Sequence, residues 1–283
     1  MLSCSIPARA TCRLTVGVPD ELPEDPTLWN AITARFPLEK VKVEWSTTVP
    51  RSSGLAGSTA LLAATLACVL DARGDRPQLA TSTQRKKFAE LVRDIERNEA
   101  GVQCGFQDAY MVVHGGLQRM EFSGKHPEKT GPLANLADLD LPLPFLLITT
   151  GVERLSGSVH GPVIERWLKG EPEVVVAIRR IAKLGMAGCA AMLKGQWGDL
   201  AAAMNENQSL VAAMGGSGEA IDKLIADCRE AGAPAAKLAG AGMGGTVIAL
   251  TDTPEDLRAK LEEKGYSRFM KPSIEPGLRF EDV

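Results

Sequence analysis

The stretch PRSSGLAGSTALLAATLACVL, residues 50–70, constrains the fold of this chain more than any other. Small and glycyl residues come first, and a long apolar run without any charge follows them. An uncharged apolar run of this kind is typical of a helix that is buried on all sides. We therefore expect a loop with few large side chains that leads directly into a core helix ending near Ala72.

Composition limits the classes of protein to consider. The 283 residues, 45% of them hydrophobic, are enough for a sizeable core, and we expect two domains. The net charge of -3 does not indicate a nucleic-acid or membrane-surface binder. Six cysteines are scattered without a CxxC pair, which favours reduced thiols over disulfides or a zinc site. We expect neither a membrane span nor a signal peptide, and we expect a cytoplasmic enzyme.

Strand and helix patterns alternate irregularly along the chain. The segment VKVEWSTTVP has strand periodicity. The other predicted elements are a helix at 82–99, a short helix ending at Gly115-Gly116, strands at LQRMEF, PLPFLLITTG and TVIAL, and helices near 158–169, 172–193, 196–213, 216–231 and from Thr253-Pro254 onwards. This mixture lacks strict βαβ alternation and favours an α+β fold. We place the domain boundary near residue 140.

The loop at 50–59 has two interpretations. A glycine-rich loop that runs into a helix exposes backbone N–H groups, and the helix dipole adds positive potential there. The loop could therefore cradle a phosphate, or it could be a tight turn that glycine allows to pack closely. Its spacing matches neither GxxxxGK[ST] nor GxGxxG, so it is neither a Walker loop nor a Rossmann fingerprint.

Three segments, in this order, resemble the GHMP kinase superfamily, which includes galactokinase, homoserine kinase, mevalonate kinase and phosphomevalonate kinase. The segments are PRSSGLAGSTA, ERNEAGVQCGFQDAYMVVHGG and KLAGAGMGG. The family's second motif commonly reads P-x-x-S-G-L-G-S-S-A, and the matching residues are Pro50, Ser53, Gly54, Leu55, Ser58 and Ala60. The third commonly reads K-L-T-G-A-G-G-G-G-C, and here Met243 replaces one of its glycines.

The resemblance implies a two-domain GHMP kinase fold. Residues 1–139 would form a ribosomal-protein-S5-like, ATP-binding domain, and residues 140–283 a ferredoxin-like domain with extra helices. Within the family, GFQDAYMVVHGGLQRMEFS, LPLPFLLI and SGSVHGPVIERWLKGE look most like glucuronokinases. This implies transfer of the γ-phosphate of ATP to the anomeric hydroxyl of a uronic acid or related sugar. The alternatives are a heptose or mevalonate-type kinase, or a nucleotide-binding protein that has lost catalysis.

The same resemblance implies roles for individual residues, with ATP and Mg²⁺ as cofactors. Asp108 would take or orient the proton of the acceptor hydroxyl, and Ser58 and Glu96 would hold the metal ion. The residues expected to line the nucleotide are Ser53, Gly54, Leu55, Ala56, Gly57, Ser58, Thr59, Gly240, Ala241, Gly242 and Gly244. Each role has a structural alternative, since Ser58 and Asp108 could be helix N-caps and Glu96 a solvated or ion-paired residue.

An acidic substrate would need a cation for its carboxylate, ideally arginine. Arg154, just past a predicted buried strand, and Arg9 are the candidates, although Arg154 could instead form a surface ion pair. Only Ile6–Arg9 suggests the family's first motif, and its glycine-containing continuation is missing. Either this region is abbreviated or part of the sugar pocket is lost. We expect a small-molecule substrate and ATP as partners, no nucleic acid, no membrane, and a monomer or homodimer.

Overall fold

A computed structural model describes residues 1–126, 132–152, 157–240 and 245–281, without the side chains of 157–160. The chain divides into two compact units. Unit 1 consists of Met1–Leu2, Arg51–Leu55 and Leu139–Ser273, and unit 2 of Ser3–Pro50, Ala56–Asp138 and Ile274–Val283. One junction lies close to residue 140. A single cut there would still misassign three short segments, which are Met1–Leu2, Arg51–Leu55 and Ile274–Val283.

The first half of the chain supplies most of unit 2. Its elements are β1 (Leu2–Cys4), β2 (Ala10–Val16), α1 (Thr27–Arg35), β3 (Val41–Thr47), α2 (Gly57–Ala72), α3 (Ser82–Asn98), α4 (Gln107–His114), β4 (Leu117–Glu121) and β5 (Asn135–Leu139). One sheet has the strand order β1-β4-β5. Strands β2 and β3 pair antiparallel, with Ala10 opposite Thr47 and Val16 opposite Val41.

Helix α2 is a central helix of the unit 2 core. Leu62, Leu66 and Val69 are fully buried, as expected for an uncharged helix. Helix α3 packs the apolar part of its surface into the same core. It begins with a capping box, in which the Thr81 hydroxyl accepts from the Gln84 N–H and the Gln84 side chain accepts from the Thr81 N–H. These local signals explain why both helices could be predicted.

The second half of the chain supplies most of unit 1. Its elements are β6 (Phe145–Thr149), α5 (Gly157–Leu168), α6 (Pro172–Leu193), α7 (Trp197–Ala213), α8 (Glu219–Glu230), β7 (Ala235–Ala239), β8 (Thr246–Leu250), α9 (Pro254–Glu263) and β9 (Phe269–Met270). The strands form an antiparallel sheet of order β7-β8-β6-β9. Residues of α8 and α9 share a core with one face of this sheet. The predicted α+β class is confirmed.

The edge strand β7 is held partly by a side chain. The Leu238 N–H donates to Gln208 Oε1 of α7 at 3.0 Å, and Gln208 is itself buried. A backbone donor on a sheet edge otherwise needs water or a further strand. Ala239 of β7 lies opposite Thr246 of β8. The two ends of the glycine-rich loop at 240–245, here called the second loop, are therefore adjacent.

Candidate functional site

The loop that enters α2 has an unusual backbone. Ser52, Gly54 and Ala56, at alternate positions, have positive φ angles of 52°, 74° and 58°. A left-handed conformation costs a non-glycine residue ~1–2 kcal/mol, and such strain is found mainly at functional sites. Alternation of left-handed residues with others is also the backbone pattern that turns consecutive N–H groups into an anion-binding concavity.

The start of α2 is open to an anion. Its N-cap residue is Ala56, which has no side chain able to cap, and the first turn contains no acidic residue. The positive end of the helix dipole is therefore uncompensated by the helix itself. Ser58 is exposed in this first turn and is not the N-cap, so its structural alternative does not hold. These features fit a phosphate group.

The glycines that flank the second loop pack against the first one within unit 1. A Cβ atom at Gly240 would lie 2.9 Å from the Gly54 carbonyl oxygen, and one at Gly245 would lie 2.8 Å from that of Ser53. Both glycines also have positive φ angles. The Thr246 hydroxyl donates to the Ser53 carbonyl at 3.0 Å and fixes the same contact. Close backbone packing is therefore present here, whatever else the loops bind.

Part of the second loop cannot be described. Ala241, Gly242 and Gly244, which we expected to line the nucleotide, lie outside the described residues. Gly245 is well held, because its carbonyl accepts from both the Thr150 N–H and the Thr150 hydroxyl, at 2.8 Å and 3.0 Å.

Thr59 and Glu96 form a buried pair in unit 2. The Thr59 hydroxyl donates to Glu96 Oε1 at 2.7 Å, and Glu96 is only 4% exposed. Burial raises the pKa of Glu96, and the nearby charge of Asp108 adds to this effect, while Thr59, Cys104 and Arg93 oppose it. Glu96 is therefore not a solvated surface residue.

Asp108 is accessible, in contrast to Glu96. It lies in the first turn of α4, whose N-cap residue is Phe106, so Asp108 is not the cap. Desolvation by the surrounding protein raises its pKa although the residue is exposed to solvent. In the described part of the chain its carboxylate accepts no hydrogen bond. An accessible carboxylate with a raised pKa fits a general base.

Two buried cations, neither of which was predicted from the sequence, lie over the ring of Phe106. The Arg93 guanidinium carbon is 3.9 Å from the ring centroid and Lys125 Nζ is 4.3 Å from it. Lys125 also pairs with Glu90 Oε1 at 2.6 Å. Such contacts fix the aromatic side chain immediately before α4. The sequence contained one signal for this contact. Arg93 is a charged residue that lies one turn before Glu96 on the buried face of α3.

Arg9, one of the two arginines proposed for a substrate carboxylate, forms an ion pair at the surface. Arg9 Nη1 pairs with Glu281 Oε1 at 3.4 Å, and its side chain is 40% exposed. Arg154 lies outside the described residues.

The predicted site residues fall into two groups. Unit 2 contains Ser58, Thr59, Glu96 and Asp108, of which the last three interact with one another through Glu96. Unit 1 contains residues 53–55 and Gly240.

No three acidic, histidine or cysteine side chains cluster as metal ligands among the residues with described positions. A Mg²⁺ ion is compatible with this, because it commonly takes one or two protein carboxylates and completes its shell with phosphates and water. None of the helices that can be described is long and apolar enough to cross a membrane.

Comparison with known proteins gives the same family as the motifs. The GHMP kinases N terminal domain family matches residues 27–116, and the GHMP kinases C terminal family matches residues 190–267. The chain is 33% identical over 239 residues to Probable glucuronokinase 2 of Arabidopsis thaliana, covering 83% of this chain and 63% of the relative. It is 30% identical over 225 residues to Glucuronokinase 1 of the same plant, covering 78% of this chain and 60% of that one.

A solved structure shares the fold. The galactokinase of Lactococcus lactis, complexed with galactose, superposes with a TM-score of 0.73 over 98% of this chain and 88% of its own, at 16% identity. The chain thus spans about three fifths of the length of these two curated relatives and nearly all of this fold. Both halves of the family match, in the order that the motifs predicted, and the chain is a member of the GHMP kinase family.

Proposed function

We propose that this chain is an ATP-dependent kinase that transfers a phosphoryl group to the anomeric hydroxyl of a uronic acid or a related sugar. The observation that carries the proposal is that Thr59, in the uncapped first turn of α2, and Asp108 both interact with the buried Glu96. Phosphoryl transfer depends mainly on positioning and on electrostatic stabilisation of the transferred group. A positive helix end beside two carboxylates suits that task.

The polyphosphate of ATP would bind at residues 53–59. The uncapped N–H groups of the first turn of α2 and the alternating positive φ angles before it support this assignment. Gly240 would act by keeping the second loop close to Gly54, and Ala241, Gly242 and Gly244 would complete the nucleotide contact. The close backbone packing at Gly240 and Gly245 supports a role for glycine in shaping the loop.

Ser58 and Glu96 would hold Mg²⁺, which, when bound, neutralises charge on the phosphates. Ser58 is exposed in the first turn of α2, one residue before the threonine that orients Glu96. Replacing Ser58 by alanine should raise the Mg²⁺ concentration that half-maximal turnover requires. Unchanged Mg²⁺ dependence in a folded Ser58→Ala variant would remove Ser58 from the metal site.

Asp108 would accept or orient the proton of the acceptor hydroxyl. Its accessibility, its raised pKa and the absence of a hydrogen bond to its carboxylate in the described residues support this role. A base with a pKa nearer to neutrality than an ordinary aspartate is better matched to a sugar hydroxyl.

The proposed class of acceptor is inferred from the names of the curated relatives. Two are named as glucuronokinases, and at 33% and 30% identity they support a sugar acid as acceptor. Arg154 and Arg9 are the proposed partners of the acid's carboxylate. Arg9 already pairs with Glu281 at the surface, so a substrate carboxylate would have to replace that partner.

The decisive experiment is an ADP-release assay with Mg–ATP and a panel of acceptors. The panel contains glucuronic acid, galacturonic acid, their neutral hexoses, a heptose and mevalonate, and phosphorus NMR locates the phosphate in any product. We expect turnover with a uronic acid and a sugar 1-phosphate as product. Arg154→Ala and Arg9→Ala should raise the KM for the uronic acid and leave the KM for ATP unchanged.

Other outcomes contradict specific parts of the proposal. Turnover with neutral sugars alone, unaffected by both arginine variants, would contradict the uronic acid. Turnover with mevalonate alone would contradict the sugar. ATP binding by calorimetry without turnover on any acceptor would identify a nucleotide-binding protein without catalysis, the alternative that the unmatched first motif leaves open.

A further inference from the structure

Two cysteines that are far apart in the sequence meet in unit 2. Cys12 lies on β2 and Cys68 on α2, and both are reduced and partly exposed. The Cys68 thiol lies 3.4 Å from the Cys12 carbonyl oxygen, to which it donates. Cys68 is also the neighbour with the largest effect on the pKa of Cys12. The side chains are therefore adjacent without any change of fold.

Other donors surround Cys12. Trp45 lies directly opposite Cys12 in the β2–β3 ladder, and Thr65 lies one turn before Cys68 on α2. The Trp45 indole N–H is buried and finds no acceptor within the described part of the chain. An ionised Cys12 would supply that acceptor. The neighbouring Cys68 thiol, with smaller effects of Thr65 and Trp45, lowers the pKa of Cys12 against the opposing effect of burial.

Three other cysteines lie in surroundings that disfavour reaction. Burial raises the pKa of Cys4 to about 11 and those of Cys104 and Cys228 to about 12. The thiolate is the nucleophile in disulfide exchange, so a thiol that stays protonated reacts slowly. Cys12 has the opposite shift and an adjacent thiol that can complete the exchange.

We infer that Cys12 and Cys68 form a redox-reactive dithiol site whose reaction partner is a small-molecule disulfide of the glutathione class. The inference rests on the adjacency, partial exposure and donor surroundings of the two thiols. It does not depend on the kinase activity.

The reaction balances in two exchange steps. The Cys12 thiolate attacks one sulfur of glutathione disulfide, a protein–glutathione disulfide forms, and a glutathione thiolate leaves and takes up the proton that Cys12 lost. Cys68 then loses its proton, its sulfur attacks Cys12 Sγ, and the second glutathione leaves as a thiolate and is protonated. Two protein thiols are oxidised by two electrons, and one glutathione disulfide is reduced to two glutathiones.

The product would tie β2 to α2. Helix α2 also carries Ser58 and Thr59 in its first turn. Oxidation therefore adds a covalent restraint to the helix on which the proposed phosphate site is built, and it should raise the thermal midpoint of the chain.

The test uses the full-length folded chain and glutathione disulfide. After native incubation and rapid alkylation, peptide mass spectrometry identifies each modified cysteine. We expect a peptide pair linked through Cys12 and Cys68 in the wild type. Cys68→Ser should stop at a glutathione adduct on Cys12, and Cys12→Ser should react at least tenfold more slowly at Cys68. Cys189→Ala, which changes a buried cysteine of unit 1, should behave as the wild type does.

Two results would overturn the inference. One is faster modification of Cys4 or Cys104 than of Cys12 in the wild type. The other is a glutathione adduct on Cys12 that persists without an intramolecular disulfide. Both are read on the wild-type chain, so they remain decisive even if a serine variant folds poorly. Circular dichroism before and after incubation establishes that the reacting chain is folded.

Discussion

Asp108 and Glu96 are carboxylates of the same unit that differ in what surrounds them. Glu96 is buried and accepts a hydrogen bond from Thr59, whereas Asp108 is exposed to solvent. The pKa of each is raised, mainly by desolvation. A buried carboxylate that is held in place suits charge positioning, and an accessible one suits proton transfer. Substitutions at the two positions should therefore have different consequences.

Replacing Asp108 by asparagine should abolish most of the proposed turnover. The change keeps the shape of the side chain and removes its basicity, so kcat should fall by ~10²–10⁴-fold. Binding of ATP should stay near the wild-type affinity, which calorimetry can measure. An Asp108→Asn chain with wild-type turnover would show that Asp108 takes no part in the reaction.

Glu96 should make the stability of the chain depend on pH. Its folded-state pKa is raised above the ordinary 4.5, so the folded chain holds the Glu96 proton more tightly than the unfolded chain does. The free energy of unfolding should then fall as pH rises from the ordinary pKa through the folded one. Glu96→Gln carries no such proton, and its stability relative to the wild type should increase with pH.

Urea unfolding between about pH 4 and about pH 8 measures this difference, because other titrating groups cancel between the two chains. Glu165→Gln is a control of opposite sign, since the neighbouring Lys169 lowers the pKa of the exposed Glu165. The free energy of unfolding that Glu165→Gln loses relative to the wild type should be slightly larger at higher pH. A constant difference between wild type and Glu96→Gln across this range would contradict the assigned burial of Glu96.

The sequence could identify Ser58, Glu96 and Asp108 as candidates but not their surroundings. The motif matches and the resemblance to the kinase family indicated the residues. The Thr59–Glu96 hydrogen bond and the cations over Phe106 join residues from different elements, and local patterns do not encode such tertiary contacts. The two N-cap alternatives failed because each helix begins before the residue in question.

At the scale of elements, the helices with a clear sequence pattern were predictable and the weakly patterned strands were not. Helices α3, α6 and α7 begin and end within a residue or two of their expected bounds, and α2 ends at Ala72 as expected. Strand β2 is half exposed along its length, and β7 is rich in alanine, which has little intrinsic preference for strands. Both strands depend on pairing with β3 or β8, and that pairing cannot be read from either segment alone.

Gly240, in the β7–β8 hairpin, packs against the backbone of the loop before α2. A valine there would place its Cβ 2.9 Å from the Gly54 carbonyl oxygen and would also strain a backbone with φ of 74°. We expect Gly240→Val to displace residues 51–55 and to weaken ATP binding at least tenfold, as measured by calorimetry.

Gly232→Ala separates backbone strain from the loop contact. Gly232 has φ of 107°, but a Cβ there would meet nothing closer than 3.8 Å. This variant should lose some stability and keep its affinity for ATP. Equal affinities in a folded Gly240→Val chain and the wild type would count against a nucleotide site at this loop.

At the scale of the whole molecule, the chain passes between the two units more than once. The segment after Ile274 belongs to unit 2 together with residues from the first half of the chain. The Glu275 N–H donates to the Ser5 hydroxyl at 2.7 Å, and the Leu278 N–H donates to the Val112 carbonyl at 3.0 Å. A segment at the far end of the sequence thus braces α4, the helix that carries Asp108 in its first turn.

Gly277 allows this segment to lie against α4, which gives a prediction about local stability. A Cβ at Gly277 would lie 2.4 Å from both the His114 carbonyl carbon and the Val113 carbonyl oxygen. Because this is backbone that cannot rotate away, Gly277→Ala should destabilise unit 2 by ~1–3 kcal/mol, as overpacking does elsewhere. Hydrogen exchange should show lost protection in the peptide covering Gln107–His114.

The strand β8 of unit 1 should keep its protection in the same experiment, because Gly277 belongs to unit 2. Gly198→Ala is the matched control, since a Cβ at this helical position meets nothing within 4 Å. Equal loss of protection in both units would mean that the chain opens as one cooperative body. Loss confined to β8 would mean that the segment after Ile274 does not brace α4, and the account of how Asp108 is held would then be wrong.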